Sequence, residues 1–142
     1  MTPTLFIGID PGVNTGFALS ERGRLTRLAT LTFWEAIAEL EQLCDGSRPV
    51  HVVIEDPNAH AAMYARLDGI DGRKRTKIAQ NVGSNKRDAQ LLCEKVLLLG
   101  AQLTTVPPKS TKVNEVIFRS VSGWRDKCSQ HARDAGMLVL GR

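Results

Sequence analysis

Two acidic residues end the two most apolar segments of the chain. Asp10 closes the segment TLFIGID, and Glu55 closes the segment PVHVVIE. Both segments have the composition of buried strands, and functional groups in an α/β sheet collect at the carboxyl ends of strands. Because alternate side chains of a strand share one face, Glu55 rather than Asp56 is the better partner for Asp10 on an adjacent strand. Each acid also has a purely structural interpretation, since Asp-Pro-Gly is a common turn and Glu-Asp-Pro can end a strand.

A second pair of groups able to do chemistry lies near the C-terminus, in the segment QHARDAGML. His131 and Asp134 are three residues apart, which places them on one face of a helix. Ala132, Ala135 and Gly136 are small and would let this helix pack closely on a sheet. The pair is either a solvated surface pair or an imidazole and a carboxylate that enter the site begun by the two strand ends.

Three carboxylates and an imidazole in one place would bind a divalent cation. Crowded carboxylates repel one another and resist ionisation unless a cation is present. Oxygen and imidazole donors suit Mg²⁺ or Mn²⁺, and no cysteine thiolate is in line with these groups to favour zinc. Two such ions about 4 Å apart can activate water and stabilise the leaving oxygen in phosphodiester hydrolysis. These residue types therefore predict a metal-dependent nuclease site.

The charge is unevenly distributed along the chain, although the net charge is only +4. Residues 1–56 contain four basic and eight acidic residues, whereas residues 57–142 contain fifteen basic and seven acidic residues. The segment 73–87, RKRTKIAQNVGSNKR, contains six basic residues and no acidic one. Clustered lysine and arginine bind nucleic acid by releasing counterions from its phosphates, but a solvated loop can have the same composition.

Apolar periodicity and turn residues predict five strands and four helices. The strands cover 4–10, 15–20, 24–31, 49–55 and 101–108, and the helices cover 33–44, 85–99, 110–121 and 126–141. Thr32 is the expected N-cap of the first helix, Ser84 or Asn85 that of the second, and Asp126 that of the last. Residues 56–83 have no clear periodicity and predict a long loop.

This order of elements predicts an α/β fold with one mixed five-stranded sheet, three strands antiparallel and then two parallel, flanked by helices. At 142 residues the chain has room for one domain, which we expect to span 1–142. No apolar run approaches the roughly 20 residues needed to cross a bilayer. Three separated cysteines and the lack of signal-peptide features indicate a cytoplasmic protein. Trp34 is expected in the core, and Trp124 is expected to orient the last helix by packing.

Four segments in this order resemble the RuvC-type Holliday junction resolvases, particularly their short phage or prophage members. The segments are IGIDPGVNTGFAL, VVIEDP, NKRDAQLLCEKVLLLGAQLTTVPPKSTK and SGWRDKCSQHARDAGMLV. The similarity covers nearly the whole chain, with matching order and spacing. The His-x-x-Asp-Ala pattern after a Gly-Trp turn makes the set specific.

The resemblance implies a ribonuclease H-like fold and a homodimer that cuts branched DNA with Mg²⁺, in the cytoplasm of a bacterium or a phage-infected host. The implied catalytic and metal-binding residues are Asp10, Glu55, His131 and Asp134, and the apolar helix 85–99 is the implied dimer contact. The residues expected to bind DNA are Tyr64, Arg73, Lys74, Arg75, Lys77, Lys86, Arg87, Lys109 and Lys112. The family usually has aromatic residues in the loop after the second acid, whereas this chain has only Tyr64 there.

Three other functions fit parts of the same sequence. A ribonuclease H-like enzyme that cuts flap DNA or RNA–DNA hybrid would use the same acids, and a DNA-binding relative without activity would keep the basic segment. The glycine-rich turn DPGVNTG could instead hold phosphate through its backbone amides, as in an actin/Hsp70-like nucleotide-binding protein. Those proteins need two such domains, for which 142 residues leave no room.

Overall fold

Five strands form one mixed sheet in the computed structural model, which describes residues 2–59, 72–109 and 111–142. In chain order the strands are β1 (Leu5–Asp10), β2 (Thr15–Glu21), β3 (Arg24–Leu31), β4 (Val50–Glu55) and β5 (Gln102–Val106). Their order across the sheet is β3-β2-β1-β4-β5. β1, β2 and β3 pair antiparallel, and β4 and β5 run parallel to β1. The sheet predicted from the order of elements is therefore confirmed.

Helices cover both faces of the sheet, and the sheet separates the core into two clusters. The helices are α1 (Phe33–Leu43), α2 (Gly72–Leu98), α3 (Glu115–Ser122) and α4 (Gln130–Val139), with a short 3-10 turn at Pro57–Ala59. On one face, Ile7 and Ile9 of β1 pack in a cluster with Leu40 of α1 and Leu92 of α2. On the other face, Val53 of β4 packs in a cluster that includes α4.

The strand register brings the two strand-end acids to the same face. Gly8 pairs with Val53 and Ile9 pairs with Ile54 in the parallel β1–β4 ladder. Asp10 lies two residues after Gly8, and Glu55 lies two residues after Val53. Both acids are therefore on the same face as that pair, which is the face that α4 covers. The prediction that Glu55 and not Asp56 shares a face with Asp10 is confirmed by this register.

The N-terminal boundary of α2 differs most from the sequence prediction. Residues 56–83 were expected to form a loop, but a 3-10 turn follows Glu55 and α2 begins at Gly72, well before the predicted caps Ser84 and Asn85. The early part of α2, RKRTKIAQNV, is mostly polar and so lacks the apolar period that marks a helix packed on a core. Arginine, lysine, alanine and glutamine nevertheless have high intrinsic helix propensity, which does not depend on an apolar period.

Helix caps explain the other boundaries. Thr32 caps α1 as predicted, because its hydroxyl accepts from the Glu35 amide and the Glu35 side chain accepts from the Thr32 amide. Asp126 does not cap the last helix, because Ser129 takes that place and accepts from the Ala132 amide at 3.0 Å. The predicted helix over 110–121 is shorter, since Asn114 caps α3 immediately before Glu115.

Trp34 was expected in the core and is instead 75% exposed. Its neighbours on α1 explain the difference, because Ala36 and Leu40 are the residues of that helix that are fully buried. Trp34 lies off this buried stripe and rests edge-on against the Phe33 ring, with 5.1 Å between ring centroids. In the described part of the chain, no helix has the length and apolar composition needed to cross a membrane.

Candidate active site

Asp10 lies at the carboxyl end of β1, almost covered by α4. The residue is 8% exposed, and its Oδ2 lies 3.5 Å from Nδ1 of His131 in the first turn of α4. The His131 side chain is half exposed, so one side of the ring faces the carboxylate and the rest is open to solvent. The structure therefore brings together a strand-end acid and a helix imidazole that are 121 residues apart.

Glu55 and Asp134 meet through a lysine. Nζ of Lys112 lies 3.1 Å from Oδ2 of Asp134 and 3.8 Å from Oε1 of Glu55. The two carboxylate side chains are only 12% and 9% exposed, whereas that of Lys112 is 44% exposed. A cation supplied by the chain itself thus occupies the space between two nearly buried acids.

The carboxylates influence one another electrostatically. Burial raises the pKa of Asp10, and the negative charge of Asp134 raises it further, against smaller opposing effects of Lys112 and His131. Burial and then the charge of Asp10 raise the pKa of Glu55 to about 7, although Lys112 acts in the opposite direction. The charge of Asp10 therefore acts on Glu55, and the charge of Asp134 acts on both, so the three carboxylates are electrostatically coupled.

Lys112 responds to the same cluster. Burial lowers the pKa of Lys112, but Glu55, Asp134 and Asp10 together outweigh burial and raise this pKa above its usual value. The ammonium group therefore stays charged and offsets part of the negative charge of the two acids that it contacts.

The four candidate ligands are of the types that a hard divalent cation accepts. The Lys112 ammonium group lies between two of them, Glu55 and Asp134. Carboxylate oxygens and an imidazole nitrogen are ligands that Mg²⁺ and Mn²⁺ accept. Within 2–59, 72–109 and 111–142, no three His, Cys, Asp or Glu side chains converge closely enough to form a ready-made metal site. The four groups are arranged as two pairs, Asp10 with His131 and Glu55 with Asp134, the second pair bridged by Lys112.

A groove opens beside the acidic cluster. Glu55 and Asp134 line it together with Lys109 and Lys112, and Met137 and Leu138 of α4 form its apolar wall. Two lysines next to two carboxylates suit a phosphate beside a metal ion. The lysines can bind the phosphate, and the carboxylates can bind the metal ion.

Hydrogen bonds fix the loop that carries Lys112 to α4. Gln130 donates through Nε2 to Oδ1 of Asp134 at 2.8 Å and to the Val113 carbonyl at 3.3 Å. Arg133 donates to the Val113 carbonyl and to Oε1 of Gln130. Gln130 therefore occupies one oxygen of Asp134 and leaves the other oxygen to Lys112.

The described part of the basic segment lies next to the site. Asn58, three residues after Glu55, donates to the Lys86 carbonyl at 3.1 Å, which ties the end of β4 to α2. Arg87 is exposed and donates to Gln90. The backbone of Arg73, Lys74, Arg75 and Lys77 belongs to α2, but their side chains lie outside the described part of the structure, as does the whole of Tyr64.

One solved structure has the same overall arrangement, T. thermophilus RuvC in complex with a Holliday junction substrate. The superposition covers 96% of this chain and 90% of that chain, with a TM-score of 0.57 and 18% sequence identity. The chain has the ribonuclease H-like fold of RuvC. A scan against models of protein families gives no match, and a search of curated proteins gives none.

Lys112 is predicted from the sequence to contact the DNA backbone, whereas in the structure it lies between two of the acids. One topological signal was available, because β5 runs parallel to β4 and ends beside it, with Glu55 paired to Val106. The segment that follows β5 must therefore begin at the edge of the sheet where β4 ends with Glu55, as in other α/β sheets. The ion pairs of Lys112 with Glu55 and Asp134 depend on how far the loop then turns back over α4. No local sequence pattern predicts that turn.

Proposed function

We propose that this chain is a metal-dependent endonuclease that acts on branched DNA and resolves four-way junctions by two symmetric nicks. The observation that carries the proposal is the position of two pairs of side chains at the carboxyl ends of β1 and β4, under α4 of a RuvC-like fold. Asp10 pairs with His131, and Glu55 pairs with Asp134 through Lys112. The structural neighbour is a RuvC bound to a Holliday junction substrate, which supports branched DNA as the substrate class.

Asp10, Glu55, His131 and Asp134 would hold Mg²⁺, and Mn²⁺ would substitute for it. Bound there, the ion supplies an activated water nucleophile and stabilises the charge that develops on the leaving oxygen. The chain's carboxylates would supply the negative charge that attracts the ion. Burial, and then the charge of a neighbouring carboxylate, raise the pKa values of Asp10 and Glu55, and a bound ion would relieve the repulsive part of this effect.

His131 is either a ligand of the ion or a group that transfers a proton. Its Nδ1 faces Oδ2 of Asp10, so Asp10 orients the ring and Nε2 is the atom free to take up or release a proton. A water that attacks phosphorus must lose a proton, and a half-exposed imidazole can carry that proton to solvent. In-line attack by this water forms a new P–O bond and breaks the P–O3′ bond, and the departing O3′ takes up a proton, which would leave 5′-phosphate and 3′-hydroxyl ends.

Lysine and arginine side chains bind the DNA backbone around the site. Lys109 and Lys112 line the groove beside Glu55, where they would contact the phosphate that is cut. Lys86 and Arg87 of α2 would add phosphate contacts, and the basic residues Arg73, Lys74, Arg75 and Lys77 remain predicted DNA-binding residues from the sequence. Contacts of this kind position DNA without reading its sequence.

A homodimer would supply the second active site that junction resolution requires. Near its C-terminal end, α2 presents Leu97 and Leu98, which are 63% and 83% exposed. The buried stripe of the same helix, which includes Leu92 and Val96, packs on the sheet. An apolar surface on the opposite side is what a second copy of the chain would cover.

The decisive experiment incubates the purified protein with three synthetic substrates and Mg²⁺, and then maps the cuts. The substrates are a four-way junction, a flap and an RNA–DNA hybrid, each also incubated with EDTA as a control. Paired cuts in opposite strands of the junction, absent with EDTA, support the proposal. Cleavage confined to the flap or the hybrid would assign the chain to a different nuclease activity, and no cleavage of any substrate with Mg²⁺ or Mn²⁺ would contradict an enzymatic role.

A further inference from the structure

Two glycines flank Asp10 on the face of the sheet that lies under α4. Gly16 of β2 is the direct partner of Asp10 in the antiparallel β1–β2 ladder, and Gly8 precedes Asp10 by two residues on β1. Directly paired residues, and residues two apart on one strand, point to the same face of a sheet. Both glycines are buried. The first acid therefore stands between two positions that have no side chain.

The backbone of α4 fills the space that side chains at these positions would need. A Cβ atom at Gly16 would lie 2.5 Å from the carbonyl carbon of His131, closer still to its oxygen, and 3.2 Å from Cβ of Asp10. A Cβ atom at Gly8 would overlap the carbonyl oxygen of Ala135 and lie 3.2 Å from its carbon. Real Cβ atoms essentially never lie within 3.0 Å of a non-bonded heavy atom from another part of the structure. At its present height above the sheet, α4 tolerates only glycine at both positions.

The height of α4 determines the geometry of the candidate site. The helix carries His131, 3.5 Å from Asp10, and Asp134, 3.1 Å from Lys112. We propose that Gly16 and Gly8 form a seat for α4 that sets these distances, and that Gly16 is a positioning residue for the metal-binding groups. The role assigned to the groups rests on the proposed function, whereas the seat itself is a property of the fold.

Gly16 has the stronger effect on the site, because its contact is with His131 itself. A methyl group there would push the His131 carbonyl away by about 1 Å, since carbon atoms pack at roughly 3.5–4.0 Å. The displaced atoms belong to the helix backbone and cannot rotate away as a flexible side chain can. Gly8 contacts Ala135, one residue beyond Asp134, so a methyl group at Gly8 would lift the middle of the helix.

Gly136 provides a matched control on the same helix. A Cβ atom at this position would lie 3.0 Å from Cδ2 of Leu28 and 3.1 Å from Cζ of Phe118. Both are side-chain atoms that need to give by only a few tenths of an ångström, so Gly136→Ala disturbs the packing of α4 without forcing its backbone off the sheet. The comparison separates a loss of stability from a change in the height of the helix.

The experiment compares the wild-type protein with the Gly16→Ala, Gly8→Ala and Gly136→Ala variants. Circular dichroism and thermal unfolding measure folding, and calorimetric titration of the metal-free proteins measures the affinities for Mg²⁺ and Ca²⁺. For Gly16→Ala we expect the affinity for Mg²⁺ to fall about tenfold to hundredfold. The affinity for Ca²⁺ should fall much less, because Ca²⁺ accepts variable geometry whereas Mg²⁺ requires near-ideal octahedral geometry. Gly136→Ala should lose stability and keep its ratio of Mg²⁺ to Ca²⁺ affinity.

Three results would overturn the inference. The first is an unchanged affinity of Gly16→Ala for Mg²⁺. The second is an equal change of the Mg²⁺ to Ca²⁺ ratio in Gly16→Ala and Gly136→Ala. The third is an unfolded Gly16→Ala protein together with a folded Gly8→Ala protein of wild-type metal affinity, since the glycine would then serve the core and not the site.

An NMR measurement without metal distinguishes this inference from the proposed function. The chemical shifts of the His131 imidazole report its contact with Asp10, and they should change in Gly16→Ala but not in Gly136→Ala. If the wild-type protein neither binds divalent cations nor cuts DNA, the proposed function fails while this change still supports the seat. If the wild-type protein binds Mg²⁺ and the imidazole shifts are the same in all variants, the seat fails and the proposed function stands.

Discussion

The ammonium nitrogen of Lys112 lies 3.1 Å from Oδ2 of Asp134 and 3.8 Å from Oε1 of Glu55. This lysine neutralises part of a cluster of buried carboxylates that would otherwise repel one another. A divalent cation that binds the same carboxylates must therefore compete with a positive charge that the chain already provides. Under the proposed function, Lys112 would therefore have two opposite effects, because it would weaken metal binding while offering a positive charge to the DNA phosphate.

Replacement of Lys112 by methionine should separate these two effects. We expect Lys112→Met to bind Mg²⁺ about tenfold more tightly, equivalent to about 1.4 kcal/mol, because a competing charge is removed from the cluster. Cleavage of a four-way junction by this variant should nevertheless fall, since the phosphate loses a positive contact. Calorimetric titration with Mg²⁺ and a single-turnover cleavage assay measure the two quantities.

Lys109→Met is the control for Lys112→Met, because Lys109 lines the same groove and its effect on Glu55 is smaller than that of Lys112. We expect this variant to bind Mg²⁺ almost as the wild-type protein does. Equal gains in affinity for both variants would mean that the net charge of the groove, and not the position of Lys112, controls metal binding.

Replacement of Asp10 by asparagine should abolish cleavage and preserve binding to a four-way junction. The loss should be about a thousandfold or more, because a metal-binding carboxylate is removed and the ion supplies several kcal/mol of stabilisation in the transition state. The metal-free variant should be at least as stable as the wild-type protein, because burial already raises the pKa of Asp10 and opposes its charge. Gel-shift binding in EDTA, cleavage in Mg²⁺ and thermal unfolding test the three statements. Loss of junction binding and stability together would show that Asp10 serves the fold.

The stability of the metal-free protein should fall as the pH rises from about 4.5 to 7. The pKa of Glu55 is about 7 in the folded protein against a reference value of 4.5, so the folded state binds more protons than the unfolded state in this interval. Stability decreases with pH wherever the folded state binds more protons, and this shift corresponds to about 3 kcal/mol. The raised pKa of Asp10 acts in the same direction. Urea denaturation in EDTA at a series of pH values measures the decrease.

Glu55→Gln is the control for this pH dependence, because it has the same shape and does not titrate. The variant should lose much of the decrease, and Mg²⁺ should reduce the decrease in the wild-type protein by stabilising the charged carboxylates. An identical pH profile in Glu55→Gln and the wild-type protein would show that other groups cause the effect.

The parts of the site that follow from regular structure could be predicted from the sequence. The alternation of β1 and β4 placed Asp10 and Glu55 on one face, and their pairing in the sheet confirms it. The small residues of the last helix predicted close packing on the sheet, which the contacts of Ala135 and His131 with the glycine positions confirm. The alternation of side chains along a strand and the size of the residues on a helix are local properties, so both can be predicted from a single sequence.

The parts that depend on long-range contacts could not be predicted in this way. Lys112 reaches the acids because β5 ends beside β4 and its following loop is fastened to α4 by Gln130 and Arg133. The polar beginning of α2 has no apolar stripe, so its helical state depends on propensity and not on period. Trp34 lies off the buried stripe of its helix, although an aromatic residue beside Phe33 suggests a core position.

If the proposed dimer forms through this end of α2, replacement of Leu98 by glutamate should convert it into a monomer that cuts only one strand. Leu98 is 83% exposed on α2, and a charge buried at a dimer contact costs about 2 kcal/mol or more. Val116→Glu is the matched control, because Val116 is 78% exposed on α3, outside the proposed dimer contact. Analytical ultracentrifugation measures the mass, and mapping of junction cuts distinguishes paired cuts from single nicks. A Leu98→Glu protein that remains dimeric would exclude this end of α2 as the contact, whereas a monomeric protein that still makes paired cuts would remove the need for a dimer.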